Sequence, residues 1–145
     1  MKSFYLLPLV AFILLTSACS KSNDNQPTVV LPTGTFTGQF LKIHLNPTTS
    51  KYDTSKAALQ LTLSQSTGFA ITGDTTTLHA GSYGSYAANA YYMQFVDKTY
   101  NPAAKPNGKY HLDGVYNYAY NGSQLVIYAN FADTLSLQYQ FTKSN

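Results

Sequence analysis

The sequence predicts an all-β fold, a single antiparallel up-and-down barrel of about eight strands. Three observations carry this. Apolar residues recur at period two, most clearly where Leu59, Leu61 and Leu63 alternate with Gln60, Thr62 and Ser64. Thr, Tyr, Val, Ile and Phe, which suit a pleated half-buried surface, dominate beyond Gly34. No stretch there carries a helical period.

Taken in order, the first strand is expected over residues 35–45. Phe36, Gly38 and Phe40 share one face, and Leu41, Ile43 and Leu45 share the other. A one-residue β-bulge would bring both sets to the core. The second strand covers residues 59–64 and turns through 65–68 into a third over 69–72. A weaker fourth covers 76–80. The fifth, 91–96, puts Tyr91, Met93 and Phe95 on one face. The sixth is expected to be the longest, 110–120, with Tyr110, Leu112, Gly114, Tyr116, Tyr118 and Tyr120 on one side. Asn121-Gly122 then predicts a type I′ hairpin turn. The seventh strand, 124–130, aligns Leu125, Ile127 and Ala129, and the eighth, 134–141, turns Leu135, Leu137, Tyr139 and Phe141 inward. Gly38 and Gly114 suit tight bends. Residues 46–56, 81–90 and 98–108 are expected to be the long loops, where a binding surface would vary. A two-sheet β-sandwich is the alternative; the barrel is favoured because consecutive hairpins close it without exposed edges. A membrane-spanning barrel needs about 9–11 residues per strand, and most of these are shorter.

Gly34-Thr35-Phe36, opening the first strand, resembles the Gly-x-Trp element of lipocalin-like barrels, with Phe36 in place of the tryptophan this chain lacks. The resemblance implies lipocalin-like architecture.

The start of the chain is organised differently. Lys2 precedes the apolar stretch 4–15, which is too short for a permanent transmembrane helix of roughly 20 residues. Small residues and the single cysteine follow, the order of a secretory signal peptide. Leu15-Thr16-Ser17-Ala18-Cys19 resembles the lipobox of bacterial lipoproteins. The resemblance implies cleavage between Ala18 and Cys19, a diacylglyceryl group on the Cys19 thiol, an acyl chain such as palmitate on the new amine, and a place in the cell envelope. Ser20 follows, so the aspartate that retains lipoproteins in the inner membrane is absent and the outer membrane is expected. The chain thus divides into a signal peptide at 1–18, a polar flexible tether at 19–33 and a β-barrel domain at 34–145. With Cys19 used, the domain has no disulfide, but its roughly 110 residues suffice for a core.

Composition narrows the partners. All nine basic residues are lysines and all six acids are aspartates. No lysine cluster supports a nucleic-acid groove, and no arginine supplies a bidentate fork for phosphate. Catalytic signatures such as Gly-x-Ser-x-Gly, His-Glu-x-x-His and a glycine-rich phosphate loop are absent, so no enzyme and no cofactor are expected. His111 and Asp113 lie two apart, opposite the tyrosine face, and are expected to point to solvent. Two ligands fall short of the three or four of a zinc site, so no metal is expected unless His44 or His79 converges on them. Asp53, Asp74 and Asp133 stand beside threonines, as in Asx-type turns.

The thirteen tyrosines remain. Most suit a structural role, but Tyr83, Tyr86, Tyr91, Tyr116 and Tyr118 are candidates to line a pocket or rim for a small apolar or glycan ligand. Two non-enzymatic functions follow: a lipid-anchored barrel holding such a ligand, or a structural subunit docking an envelope protein partner. A wide cavity rimmed by tyrosines would favour the first. An interior filled by Leu, Phe and Ile, with an exposed apolar patch, would favour the second.

Overall fold

The structure is a computed structural model that describes residues 30–103 and 108–144. The signal segment, Ala18, Cys19 and most of the expected tether lie outside the described residues. Eight strands close into one antiparallel barrel in sequence order: β1 Gly34–Asn46, β2 Lys51–Ser64, β3 Gly68–Gly73, β4 Ser82–Ala88, β5 Tyr92–Asp97, β6 Gly114–Tyr120, β7 Gln124–Phe131 and β8 Leu135–Lys143. β8 returns to pair with β1, from Phe36↔Lys143 to His44↔Leu135. This is the up-and-down barrel the alternation predicted, and the sandwich is set aside.

The barrel has two distinct ends. The lower end carries the tight connections 65–67, 89–91 and 121–123, the entry of the chain into β1 and its exit from β8. The upper end carries the turns 47–50 and 132–134 and, among the described residues, the segments 74–81, 98–103 and 108–113. Residues 78–80 meet Tyr110 across the opening. Tyr110 bridges His79, its N–H donates to the Leu78 carbonyl at 3.0 Å, and Ala80 N–H donates to the Tyr110 carbonyl at 2.8 Å. Leu112 and His79 are thereby fully buried. Pro32 is also fully buried, so packing begins ahead of the expected boundary at residue 34.

The inward phase is mostly apolar, as in Leu59, Leu61 and Leu63 of β2, or Leu137, Tyr139 and Phe141 of β8. The outward phase mixes Thr37, Gln39, Gln60, Thr62, Gln138 and Gln140 with the apolar Leu41, Ile43, Val96, Val115 and Val126. The packed apolar interior is the opposite of the polar interior of a membrane-spanning barrel.

Four expectations are corrected. No bulge interrupts β1, which stays in one-to-one register with β2 from Gly34↔Leu63 to Asn46↔Lys51. Phe40 therefore points in and Leu41 out, and Leu41 is buried against the outer wall. The fourth strand is Ser82–Ala88, not 76–80; its small inward residues resemble a loop in sequence. At Gly84 neighbouring backbone leaves no room for a side chain: a Cβ there would meet the Val96 carbonyl oxygen at 1.9 Å. The longest strand is β2, with 14 residues, and β6 begins at Gly114 because residues 110–113 leave the wall to cap the upper end. Finally, Asn121-Gly122 does make a hairpin, but Gly122 alone has a left-handed φ (+97°). A type I′ turn needs two such residues. Here the Asn121 side chain closes a three-residue connection, accepting from Ser123 N–H at 3.0 Å and Gln124 N–H at 2.7 Å.

The β1–β2 hairpin runs past the barrel rim. β3 pairs only with residues 59–64 of β2, which leaves the start of β2 without a second neighbour. Lys51 and Lys56 stand on that free edge and blunt it against strand addition.

Candidate functional site

The interior is where such a barrel would hold a ligand, and side chains fill it. Phe40 lies with its ring 4.9 Å from Tyr139, 5.0 Å from His79 and 5.6 Å from Tyr110. Below it, Phe95 meets Phe69 at 5.1 Å and Tyr116 at 6.0 Å. These edge-on and tilted contacts are the favoured geometry for packed rings. Hollows lie on the outside instead. One, of about 620 Å³, sits on the outer wall among Thr37, Gln39, Ala58, Val126 and Gln140.

The five candidate tyrosines do not assemble. Tyr116 is 3% exposed and belongs to the core. Tyr86 and Tyr118 are half-buried in the same inward phase, Tyr86 stacked on Phe95 at 6.2 Å. Tyr83 is 58% exposed, because β4 turns its even positions inward and Tyr83 out. Tyr91 precedes β5 in a connection at the lower end and points to solvent. No shared tyrosine pocket results.

What the sequence reading missed is a buried polar chain under the upper cap. Asp97 closes β5 with its side chain fully buried. One carboxylate oxygen accepts from Thr99 N–H at 2.7 Å and Thr99 Oγ1 at 2.6 Å; the other pairs with His111 Nδ1 at 2.8 Å. Asp113 turns back and accepts the Asp97 N–H at 2.9 Å. His111 and Asp113 thus do not simply face solvent: they tie the chain just ahead of β6 to the end of β5. Burial alone would raise the Asp97 carboxyl, but the hydrogen bonds from Thr99 and His111 outweigh it and hold the group below its ordinary value. Ser82 Oγ lies close enough to add to this, though it makes no well-aligned hydrogen bond. The signal was present: extending the Met93, Phe95 phase by two residues reaches Asp97.

Asp97→Asn keeps the shape but removes the charge that three donors share. It is expected to cost about 1.5–3 kcal/mol, seen as a lower urea midpoint with the barrel's far-ultraviolet dichroism retained.

His79 is the second buried polar group. Its Nδ1 faces the Ala80 carbonyl, which fixes the proton there, and Nε2 accepts from Tyr139 Oη at 2.9 Å. Burial pulls its pKa down to about 4, so the ring is neutral at pH 7. Burial also raises Tyr139 well above 10 and Tyr116 to about 12, so both hydroxyls stay protonated as donors. Tyr116 Oη donates to the Asp113 carbonyl at 3.1 Å. These are structural bonds within a packed core. His44 stands apart, 4.0 Å from Asp53. No group of three potential metal ligands converges among the described residues.

Of the three aspartates read as turn residues, Asp74 fits fully: it accepts from Thr76 N–H, Thr76 Oγ1 and Thr77 Oγ1. Asp53 instead lies within β2 and accepts from Asn46 Nδ2 at 2.9 Å across the hairpin.

The outer face of β4, β5 and β6 is the remaining candidate. Tyr83, Tyr92, Val96 and Val115 are all exposed there. The register sets Gln94 opposite Val115 and Ser85 opposite Val96, so the apolar side chains run diagonally across three strands. A hollow of about 400 Å³ between Ala87, Asn89, Tyr92, Gln94 and Val115 indents the same face.

Comparison with protein-family models, curated proteins and solved structures finds no match to this chain.

Proposed function

We propose that this chain is an exported bacterial lipoprotein, lipidated at Cys19 and held at the outer membrane, whose barrel works through its outer surface as a structural or interaction subunit. The anchor reading rests on Leu15-Thr16-Ser17-Ala18-Cys19 behind a short apolar segment. One acyl chain binds a membrane marginally, whereas two or more, at about 0.8 kcal/mol per buried methylene, attach it stably. The observation that carries the surface reading is the contrast between a core packed with Phe, Leu, Ile and Tyr and an exposed strip of Tyr83, Tyr92, Val96 and Val115. Apolar area left open on a small domain suits contact with a partner. The reading is non-enzymatic, with the Asp97 and His111 side chains bonded to each other as braces of the cap.

A glycan on the outer face is a second reading. It is favoured by the open ring of Tyr92 beside the amides of Gln94 and Asn117, a neutral surface suited to stacking on sugars and bonding their hydroxyls.

Two measurements test the proposal. Cells fed a clickable fatty acid should label the chain, and Cys19→Ser should abolish the label and release the protein from the membrane fraction; label that survives the substitution refutes the anchor. Native mass spectrometry of the membrane-extracted protein should show the acyl mass without a small apolar ligand. A stoichiometric ligand retained after delipidation would instead restore the carrier reading.

A further inference from the structure

The two ends of the barrel differ in how many charged groups they carry, and the difference aligns with where the chain enters. All five described aspartates lie at the upper end, Asp53 near the β1–β2 turn, Asp74 after β3, Asp97 and Asp113 beneath the cap and Asp133 between β7 and β8, and Lys51, Lys56, Lys98 and Lys109 lie there with them. The lower connections read Gln65-Ser66-Thr67, Asn89-Ala90-Tyr91 and Asn121-Gly122-Ser123, without a charge. The one charged side chain described at that end is Lys143, a cation.

The lower end also presents apolar and aromatic groups to solvent. Tyr91 is 72% exposed and Val30 is 70% exposed, with Tyr92 beside Tyr91, ring centroids 6.4 Å apart. The Asn89 side chain fixes that pair by accepting from the N–H of both Tyr91 and Tyr92 at 2.8 and 2.9 Å. Val30 shares a hollow of about 580 Å³ with Ala90, Tyr118 and Tyr120. The rings are therefore held outward by the turn, at the end where the chain arrives from Cys19. Residues 19–29 can span at most about 35–40 Å.

We propose that the lower end of the barrel rests on the lipid surface, with Tyr91 and Tyr92 at headgroup depth and the charge-rich upper end turned away. Three physical terms favour this orientation. Tyrosine suits the membrane interface, its ring against acyl chains and its hydroxyl in the wet headgroups. Charged side chains lose solvation when seated against lipid, and among the described residues the lower end carries only Lys143, which anionic headgroups attract. The short connection to the anchor keeps this end near the membrane at high effective concentration, so weak contacts suffice. The β4–β6 face then stands roughly upright, open to a partner in the same membrane plane. This inference rests on the lipoprotein reading above.

The chain has no tryptophan, so one introduced ring reports its own surroundings without interference. Y91W places it at the lower end; Y52W places it on the exposed upper hairpin. Both would be made in the full lipidated protein and reconstituted in phosphatidylethanolamine–phosphatidylglycerol vesicles containing bromine-labelled acyl chains. The Y91W emission should shift to the blue and be quenched roughly twofold or more beyond Y52W, as expected for a ring at interface depth. Should Y91W not fold, Y92W reports the same end. A protein that carries its acyl mass and floats with the vesicles, yet shows equal quenching at the two ends or stronger quenching of Y52W, overturns the inference alone. A chain without acyl mass that stays off the vesicles overturns the lipoprotein reading as well.

Discussion

Phe40→Ala is expected to lower the unfolding free energy by about 3–5 kcal/mol, read as a fall in the urea midpoint at unchanged slope. Phe40 is fully buried and its ring touches those of His79, Tyr110 and Tyr139. The cavity left behind would sit between a closed wall and the capping segment. Neither can collapse into it without breaking the pairing of β1 with β2 and β8. The control is Leu41→Ala. Leu41 is almost as buried but on the outer wall, so truncation there leaves no enclosed void and should cost at most about 2 kcal/mol, the transfer term alone. A bulge that turned both residues inward would make the two losses equal. Equal losses would therefore refute the uninterrupted register of β1.

Those neighbouring residues show what a sequence can and cannot reveal. Period two is a property of one strand, so Leu59, Leu61, Leu63 and the inward residues of β7 and β8 were legible from the chain alone. Phe40 and Leu41 were ambiguous because both are apolar, and only the neighbours on either side decide which is interior. β4 was missed for a related reason. Ser82, Gly84 and Ala88 point inward but carry no apolar bulk, and adjacent backbone passes where Gly84 would bear a Cβ. Close approach between strands is a tertiary fact with no local signature. The same holds for residues 110–113, where the alternation continues in the letters while the backbone leaves the wall to cap the barrel. Of the polar chain, Asp97 was recoverable by extending the phase of β5, whereas His79 was not: nothing near a histidine in a loop announces that the loop folds into the barrel mouth. The exposed strip fell between these cases. Tyr92 and Val96 are outward by the phase that turns Met93 and Phe95 inward, yet their importance appears only once Tyr83 and Val115 are laid beside them.

The largest effect of solution conditions is expected from His79. Its ring is buried against Phe40 and Tyr139, and burial is the main reason its pKa lies near 4 rather than 6.5; His111 adds to the depression, while the Ala80 carbonyl and Asp97 partly offset it. The sign follows from proton binding. Between those two values the unfolded chain holds a proton on this histidine that the folded chain refuses, so stability falls as pH falls. The penalty is absent well above pH 6.5, grows through the interval and is complete below about 4, where it reaches about 3 kcal/mol. Urea melts at pH 7 and pH 4.5 should therefore differ by about 2–2.5 kcal/mol from this group. His79→Gln supplies a nitrogen donor for the Ala80 carbonyl and an oxygen acceptor for Tyr139 Oη but cannot titrate. It should cost stability at pH 7 and flatten the slope above pH 4.5. Asp97 acts lower on the scale. Its carboxyl is held below the ordinary value of 3.8, so the stability it contributes is intact above that value and is lost only as pH falls further, beginning where the histidine penalty is nearly complete. Acid unfolding should thus run in two steps, the first removed by His79→Gln and the second by Asp97→Asn. A flat profile between pH 7 and 4.5, or a slope that survives His79→Gln, would mean that the ring at residue 79 is not sealed in the barrel mouth.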